Sequence, residues 1–591
     1  MVHKIHIPVM GICYTADTPI RVAHLGITSV ISLVDDGLLE EYRMAYAERL
    51  GLDLGSPQTT RIGRIRSYLD FVADEVKRKF ERLCAERFDG GSDKDLYFLM
   101  LPLNSRLRVE YDGIFAKTGL ARIAAEAALT EKMEPGEIQA NIMVGLNHDE
   151  AAFDAVRGFA ASKVKGSLVL SAGVNLAVFE EIAKCKDFYR TCDKAPSKKI
   201  ILKVSDFRSA LIQGRYLAKK GLEVYEYRIE SGVNCGGHAF FESKKLLLDV
   251  VREFVAKKNE LFETTRGMIV KFAAANASSN AANACSHEIV PPKAPARITA
   301  QGGLCSPEDI EKIMSLGIDG VGVGTPFLLV PQATSVDKET RRLLASATPN
   351  DVYISHASPL GFPFVNLRIS TAAELCRKKV QEYFKPQSEK SNDPELKPGF
   401  PCRQHYLCRQ MPGFDHPVCM ASREYVMHRL AEIDALEKEE LRAVCHSALD
   451  PIAFGSRMTR TACHSGEVAD LDRIQEIHAK YNELRRETLS RECICRFLGN
   501  AGREEIREKS PSLHYQPESV AVARGSQPAR TREPVTICPN PDIGYFDREY
   551  TLFEMMRHLY GTGPRLTPKD KPSAFEIEEK VLTKVMYSKK R

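Results

Sequence analysis

The residues best placed to do chemistry lie in three groups. The stretch ITAQGGLCSPEDIEKIMSLGIDGVGVGTPFLL, Ile298–Leu329, ends two short apolar runs on glycine, at Gly302-Gly303 and at Gly324-Thr325. A dianionic phosphate asks for several backbone N–H groups at close range, and glycine lets the backbone approach where a Cβ would clash. Either pair alone would also serve a tight turn; two pairs one helix apart favour a phosphate site. The second group is IESGVNCGGHAFF, Ile229–Phe241, where Gly236 and Gly237 precede His238. An imidazole there titrates near neutral pH and suits a general acid or base, or it is a satisfied loop histidine. The third group is the cysteines: of 16 in the chain, Cys402, Cys408, Cys419, Cys445, Cys463, Cys493, Cys495 and Cys538 fall in the C-terminal part. Cys402, Cys408, Cys419, Cys493, Cys495 and Cys538 are the candidates for an iron–sulfur cluster or zinc, against structural thiols or a redox-active pair. The group contains no CxxC spacing, and Cys493-x-Cys495 is its tightest pair.

Something must hold these groups in register. Short β-branched runs alternate with amphipathic stretches at Ile5–Val9, Ser29–Ser32, Ile138–Met143, Ser167–Leu170, Ile200–Val204, Val224–Ile229, Arg297–Ala300 and Gly320–Val323. Strands alternating with helices argue for a parallel sheet, and this number of units closes a barrel, with a doubly wound open sheet as the alternative. In a closed (β/α)8 TIM barrel the loops after the last two strands form phosphate sites, which is where the two glycine turns fall. His238 then follows the sixth strand, at the rim where barrel enzymes keep catalytic groups.

Two insertions interrupt the series: a helical one over about 35–135, and AAANASSNAANACS within about 268–295, expected to be a mobile loop on composition. The polar, Pro-containing run 385–401 is the expected linker between a barrel spanning 1–384 and a mainly helical, Cys-containing region spanning 402–591. A second flexible stretch is expected around Ser510–Pro534, and RIQEIHAKYNELRRETLSRE, Arg473–Glu492, reads as a charged amphipathic helix.

Composition narrows the class. The 591 residues are 43% hydrophobic, enough to bury a large core. Lys+Arg 83 against Asp+Glu 78 leaves +5, too mild for a dedicated nucleic-acid binder. The start MVHKIHIPVMGICY runs into a strand without the apolar core of a signal peptide, and no run approaches the roughly 18 apolar residues of a membrane helix. The expectation is a soluble, cytoplasmic protein acting on a small molecule, without nucleic acid or membrane.

Together, GIDGVGVGTPFLL, ITAQGGL and ESGVNCGGHAF resemble the nitronate monooxygenase (2-nitropropane dioxygenase-like) family of FMN-binding TIM barrels, whose flavin-dependent enoyl-acyl-carrier-protein reductase relatives share these motifs. IPVMGICYTADTPIRVAHLGITSVIS, ANIMV and SHASPLGFP are similar to its first units, its third strand and its closing loop, so the likeness covers roughly 4–370 without the two insertions. The resemblance implies that Gly302, Gly303, Gly324 and Thr325 hold the FMN phosphate. It implies that Met10 and Gly11 lie against the ring, that Asn141 and Lys203 reach its polar edge or ribityl chain, that Gly236 and Gly237 approach the cofactor, and that His238 faces the substrate. A Lys203 that faces the site would stabilise charge on reduced flavin; otherwise it is a strand-end lysine reaching solvent. The family has Glu-Ala or Glu-Ser before Gly-Gly-His, whereas Asn234-Cys235 stands here, which leaves the substrate more open than the cofactor. An oxygen-dependent nitronate oxidation, an NAD(P)H-dependent enoyl reduction and a non-catalytic scaffold in a biosynthetic assembly all fit. A homo-oligomer or a carrier-protein partner is compatible with each.

Overall fold

The computed structural model describes residues 2–144, 149–171, 173–192, 194–232, 238, 245–279, 289–355, 357–402, 406–446, 469–510 and 532–588. Eight parallel strands close a barrel in sequence order: β1 (Ile5–Ile7), β2 (Thr28–Ser32), β3 (Ile138–Met143), β4 (Ser167–Ser171), β5 (Lys199–Val204), β6 (Glu226–Glu230), β7 (Arg297–Gln301) and β8 (Gly320–Gly322). Closure is carried by β1 pairing with β8, His6 opposite Gly322, which rules out the open sheet. The strands are almost wholly buried, as parallel strands covered by helices must be. Gly136 shows how tightly the chain enters β3: a Cβ there would collide with the Ile27 carbonyl.

The barrel carries a buried charged network. Arg228, 1% exposed, pairs with Glu226 at 2.7 Å and donates to Gln139 Oε1 at 2.9 Å. Thr299 donates to the same Glu226 at 2.6 Å. Glu226 Oε1 is satisfied in this way, while Oε2 has no hydrogen-bond partner among the described residues and only Arg297 at 3.8 Å. The ion pairs matter because an unpaired charge there costs several kcal/mol, roughly 3–5.

The insertion after β2 is helical, as expected, with helices Asp36–Leu50, Arg61–Ala85, Asp93–Leu99, Arg106–Asp112 and Gly119–Thr130. The first is capped by Asp35, which accepts from Leu38 N at 3.0 Å. The insertion before β7 differs from expectation. The Ala/Asn/Ser run does not begin as a loop: a helix runs Lys258–Ser279 and carries its first residues, and 280–288 lie outside the described residues. Alanine's helix propensity and continuity with the preceding turns outweigh the biased composition.

Beyond β8, a two-stranded antiparallel sheet follows, β9 (Val352–Ser355) and β10 (Phe364–Leu367). The helix Thr371–Phe384 leads to 385–401, which is tacked back by Lys379 Nζ donating to the Lys397 and Gly399 carbonyls at 2.7 and 3.2 Å. The C-terminal region is mainly helical, with helices Arg423–His446, Ala469–Leu489, Ile494–Lys509, Leu552–Leu559 and Ala574–Ser588. The charged amphipathic helix is found, and its Ile477 and Tyr481 pack with Ile433 and Val444. Most of 510–534 lies outside the described residues, as do Cys463 and the side chain of Cys445. The regions before and after the proposed linker share one apolar core: Ile494, Leu498, Ile537, Met555 and Leu559 pack into the same cluster as the barrel strands. Among the described residues, no helix is long and apolar enough to cross a membrane.

Candidate active site at the barrel mouth

A cleft of about 690 Å³, counting its open mouth, lies at the carboxyl ends of β1, β7 and β8. Met10, Gly11, Gly302, Gly303, Gly324 and Thr325 all line it, so six of the expected cofactor residues converge. Gly302 and Gly303 sit at φ of 121° and 80°, where a side chain is strained, and a Cβ on Gly302 would meet Ser231 Cβ at 2.8 Å. At Gly324 an added Cβ would press Met10 Cγ at 3.3 Å.

The floor is set by strand register. Glu230 pairs with Gln301, and Lys203 lies one strand away, with β5 register-paired to β6. Lys203 Nζ meets Glu230 at 2.9 Å and Gln301 Nε2 donates to Glu230 at 2.7 Å. The Lys203 side chain is 12% exposed, so it is not a strand-end lysine reaching solvent. It meets the cleft through Glu230, which lines it.

Asn141 is register-paired with Val169 on β4. Val169 belongs to an apolar cluster with Val30 and Ile201, which are also strand residues. Asn141 is 2% exposed and its Oδ1 has no hydrogen-bond partner among the described residues. A buried amide oxygen left unsatisfied is a place where a donor is wanted. Asn141 is not among the residues lining the cleft.

His238 does not line the cleft either. It forms an isolated bridge to Phe364 of β10, its ring 4.8 Å from that phenyl, with Nε2 2.8 Å from Ser358 Oγ. His238, expected on the substrate side, therefore meets the segment SHASPLGFP, expected to close the barrel, through Ser358. Gly236 and Gly237 lie outside the described residues, as do Asn234, Cys235 and His356.

The remaining wall comes from residues that motif spacing missed. Tyr14, Glu230, Cys538, Asn540 and Asp542 line the cleft, the last three from the C-terminal region. Asn540 N donates to Thr325 Oγ1 at 3.0 Å, and Tyr14 donates to the Thr536 carbonyl at 2.5 Å, so this segment is fastened across the mouth. Burial pushes the Cys538 thiol up to about 12, so it stays protonated. Burial also raises the Asp542 carboxyl above the usual range, against the pull of the Lys571 ammonium 2.6 Å away. Tyr14 and Glu230 fall within quoted motifs without being singled out, and Cys538 alone was named, as a metal candidate; it lines the cleft.

Cys408, Cys419 and Cys493 share a small separate core, with Cys402 packed against it, while Cys495 joins the main core. Among the described residues, no group of three or more His, Cys, Asp or Glu side chains is arranged to hold a metal ion.

FMN combines a phosphate, a polar chain and a flat ring, and the cleft offers a counterpart to each. The strained glycines form a cradle for the phosphate, and Thr325 and Asn540 line the cleft with polar groups. Met10 and Tyr14 supply flat or pliant apolar surface. The residues present fit the group.

No protein-family model and no curated protein matches this chain. Among solved structures it is similar to the enoyl reductase domain of MlnA from the macrolactin biosynthesis cluster of Bacillus amyloliquefaciens, at 13% identity and a TM-score of 0.35 over 82% of this chain and 87% of that one. It is also similar to FabK from Thermotoga maritima, at 13% identity and a TM-score of 0.33 over 64% and 76%. Nitroalkane oxidase from Streptomyces ansochromogenes matches at 10% identity and a TM-score of 0.29 over 62% and 76%. Likenesses this distant carry no argument, and the site is read from its own residues.

Proposed function

We propose that this chain is an FMN-dependent oxidoreductase whose cofactor occupies the cleft at the carboxyl ends of β1, β7 and β8, and that it oxidises a small nitronate-like substrate with O2. The observation that carries the reading is the convergence of Gly302, Gly303 and Gly324 with Met10 and Gly11 on one cleft. When bound, the flavin supplies the electron transfer. The protein's part is to bind, orient and manage charge and protons. Gly302 and Gly303, with Thr325, hold the phosphate. Asn141 would give its unsatisfied oxygen to a donor. Lys203 supplies the cation that offsets Glu230 at the floor. Segment 538–542, fastened through Asn540 and Thr325, walls the cleft from water. His238 lies outside the cleft lining with Nε2 held by Ser358, so a proton-transfer role for it requires that hydrogen bond to be exchanged for one to the substrate.

The test is an absorption spectrum of the full-length protein with cofactor release, followed by turnover. Released FMN at about one per chain, with O2 consumption on adding an alkyl nitronate, is the expected result. Flavin bleached by NAD(P)H, without nitronate oxidation, would replace the substrate assignment by an enoyl-type reduction. A colourless protein that also refuses added FMN would overturn the cofactor reading and leave the scaffold role.

A further inference from the structure

The C-terminal cysteines carry an inference independent of the flavin reading. Arg409 and Val418 exchange both backbone hydrogen bonds, at 3.1 and 3.0 Å, across a tight antiparallel bridge. They are thus a hydrogen-bonded pair, and the next residues outward, Cys408 and Cys419, form the non-hydrogen-bonded pair. In such pairs the Cα atoms approach to about 4.5 Å, within the roughly 4.4–6.8 Å that a disulfide spans. Both thiols are buried, in a small core with Cys376, Cys493, Phe400 and Phe497, and the half-buried Cys402 packs against it.

The three thiols are also chemically unequal. Cys408 hydrogen-bonds both Cys402 and Cys419, and these neighbours together with burial hold its proton on. The Cys419 sulfur accepts from Cys408 and from the backbone N–H groups of Ala421 and Ser422, which holds that thiol below its ordinary range. One thiol leans toward thiolate and its cross-strand neighbour keeps a proton to give, the division of labour that thiol oxidation needs.

We propose that Cys408 and Cys419 are a redox-modification site that closes reversibly to a cross-strand disulfide, with hydrogen peroxide as the oxidant. The Cys419 thiolate attacks one peroxide oxygen, the O–O bond breaks, and Cys419 becomes a sulfenic acid while the departing hydroxide takes a proton to become water. The Cys408 sulfur then attacks the Cys419 sulfur, the S–O bond breaks, and the hydroxide released takes the Cys408 proton as a second water. In sum, two thiols lose two electrons and two protons, one peroxide is reduced to two waters, and one S–S bond forms. A small thiol reverses the step, entering from the Cys402 side. The position gives the switch an outlet: Phe497 lies in the thiol core, and the adjacent Leu498 sits 3.3 Å from where a Cβ would be on Gly11, a residue that lines the cleft.

The experiment treats reduced, full-length protein with peroxide equimolar to protein and maps peptides under non-reducing conditions. A linked peptide pair joining Cys408 to Cys419, lighter by two hydrogens and lost on adding dithiothreitol, is expected, before the exposed Cys192 is oxidised. Cys419→Ser should abolish the link, and Cys402→Ser should leave it intact. Oxidation at Cys192 with Cys408 and Cys419 still reduced would overturn the proposal. So would stoichiometric zinc or iron in the protein as isolated, which would make these thiols ligands. Where Cys419→Ser fails to fold, equilibration of the unmodified chain with glutathione buffers decides: a two-electron transition of this pair supports the site, and its absence overturns it.

Discussion

At the scale of single residues, the cleft depends on backbone that side chains would spoil. Gly302 is the sharpest case, because its φ of 121° and its approach to Ser231 act together. Gly302→Val must either shift Ser231 or relax the turn, and each outcome moves the N–H groups that would cradle a phosphate. The expected result is an affinity for FMN at least tenfold weaker, read by fluorescence titration, with far-UV circular dichroism unchanged. Full FMN retention would dissociate the glycine turn from phosphate binding. Ser231 is itself tied down by donating to Glu578 at 2.6 Å. The C-terminal helix Ala574–Ser588 thus braces the glycine turn from behind.

At the scale of elements, the helix Ile494–Lys509 joins the C-terminal region to the barrel. Arg503 reaches from it to Asp35 at 3.2 Å and Glu41 at 3.0 Å, and Asp35 is the cap of helix Asp36–Leu50. Gly502 lets the two helices close, since a Cβ there would lie 3.1 Å from Tyr42 Oη. Arg503→Met would leave the fully buried Asp35 carboxylate without its cation, a loss of about 3 kcal/mol or more, measurable as a lower urea midpoint; a change within about 0.5 kcal/mol would show the pair to be dispensable. How much of this was legible follows from range. The strands were readable because burial on both faces forces β-branched runs, and each predicted strand lies within two residues of β1 to β8 at both ends. The glycine turns were readable because the reason for them is local. The last turns of the helix Lys258–Ser279, where the Ala/Asn/Ser run begins, were missed because biased composition masked their propensity. Tyr14, Asn540 and Asp542 were invisible as site residues because their role depends on a contact across hundreds of residues, such as Asn540 N to Thr325 Oγ1, that no spacing encodes. The surroundings of Lys203 could not be read from sequence, since its partner Glu230 comes from the neighbouring strand.

At the scale of the whole molecule, two buried histidines help join the C-terminal region to the barrel, and acid should weaken that union. His3 Nδ1 lies 3.3 Å from Tyr560 Oη. His558 Nε2 donates to the Cys305 carbonyl at 3.1 Å, while its Nδ1 accepts from Leu566 N at 3.2 Å. Protonation would put a second N–H on Nδ1, facing the Leu566 N–H, so the fold selects the neutral ring. Burial depresses both imidazoles to about 4, and the His24 imidazole likewise. In the unfolded chain they titrate near the ordinary value of about 6.5. Above that pH neither state is charged and the linkage is nil. Between about 6.5 and 4 the unfolded state binds protons that the fold refuses, so stability falls with pH, by up to about 3 kcal/mol per imidazole at the lower end. Below 4 this contribution levels off. The buried carboxyls of Glu492, Asp542 and Glu578, all raised by burial, act in the opposite sense, because the fold binds their protons first. The histidine share is therefore read as a difference: urea midpoints of the full chain at pH 7 and pH 5, compared with those of His558→Gln and His3→Gln. Each variant should start less stable and lose less on acidification, since glutamine does not titrate. Equal losses in the variants and the parent would show that the neutral imidazoles do not govern how acid parts the C-terminal region from the barrel.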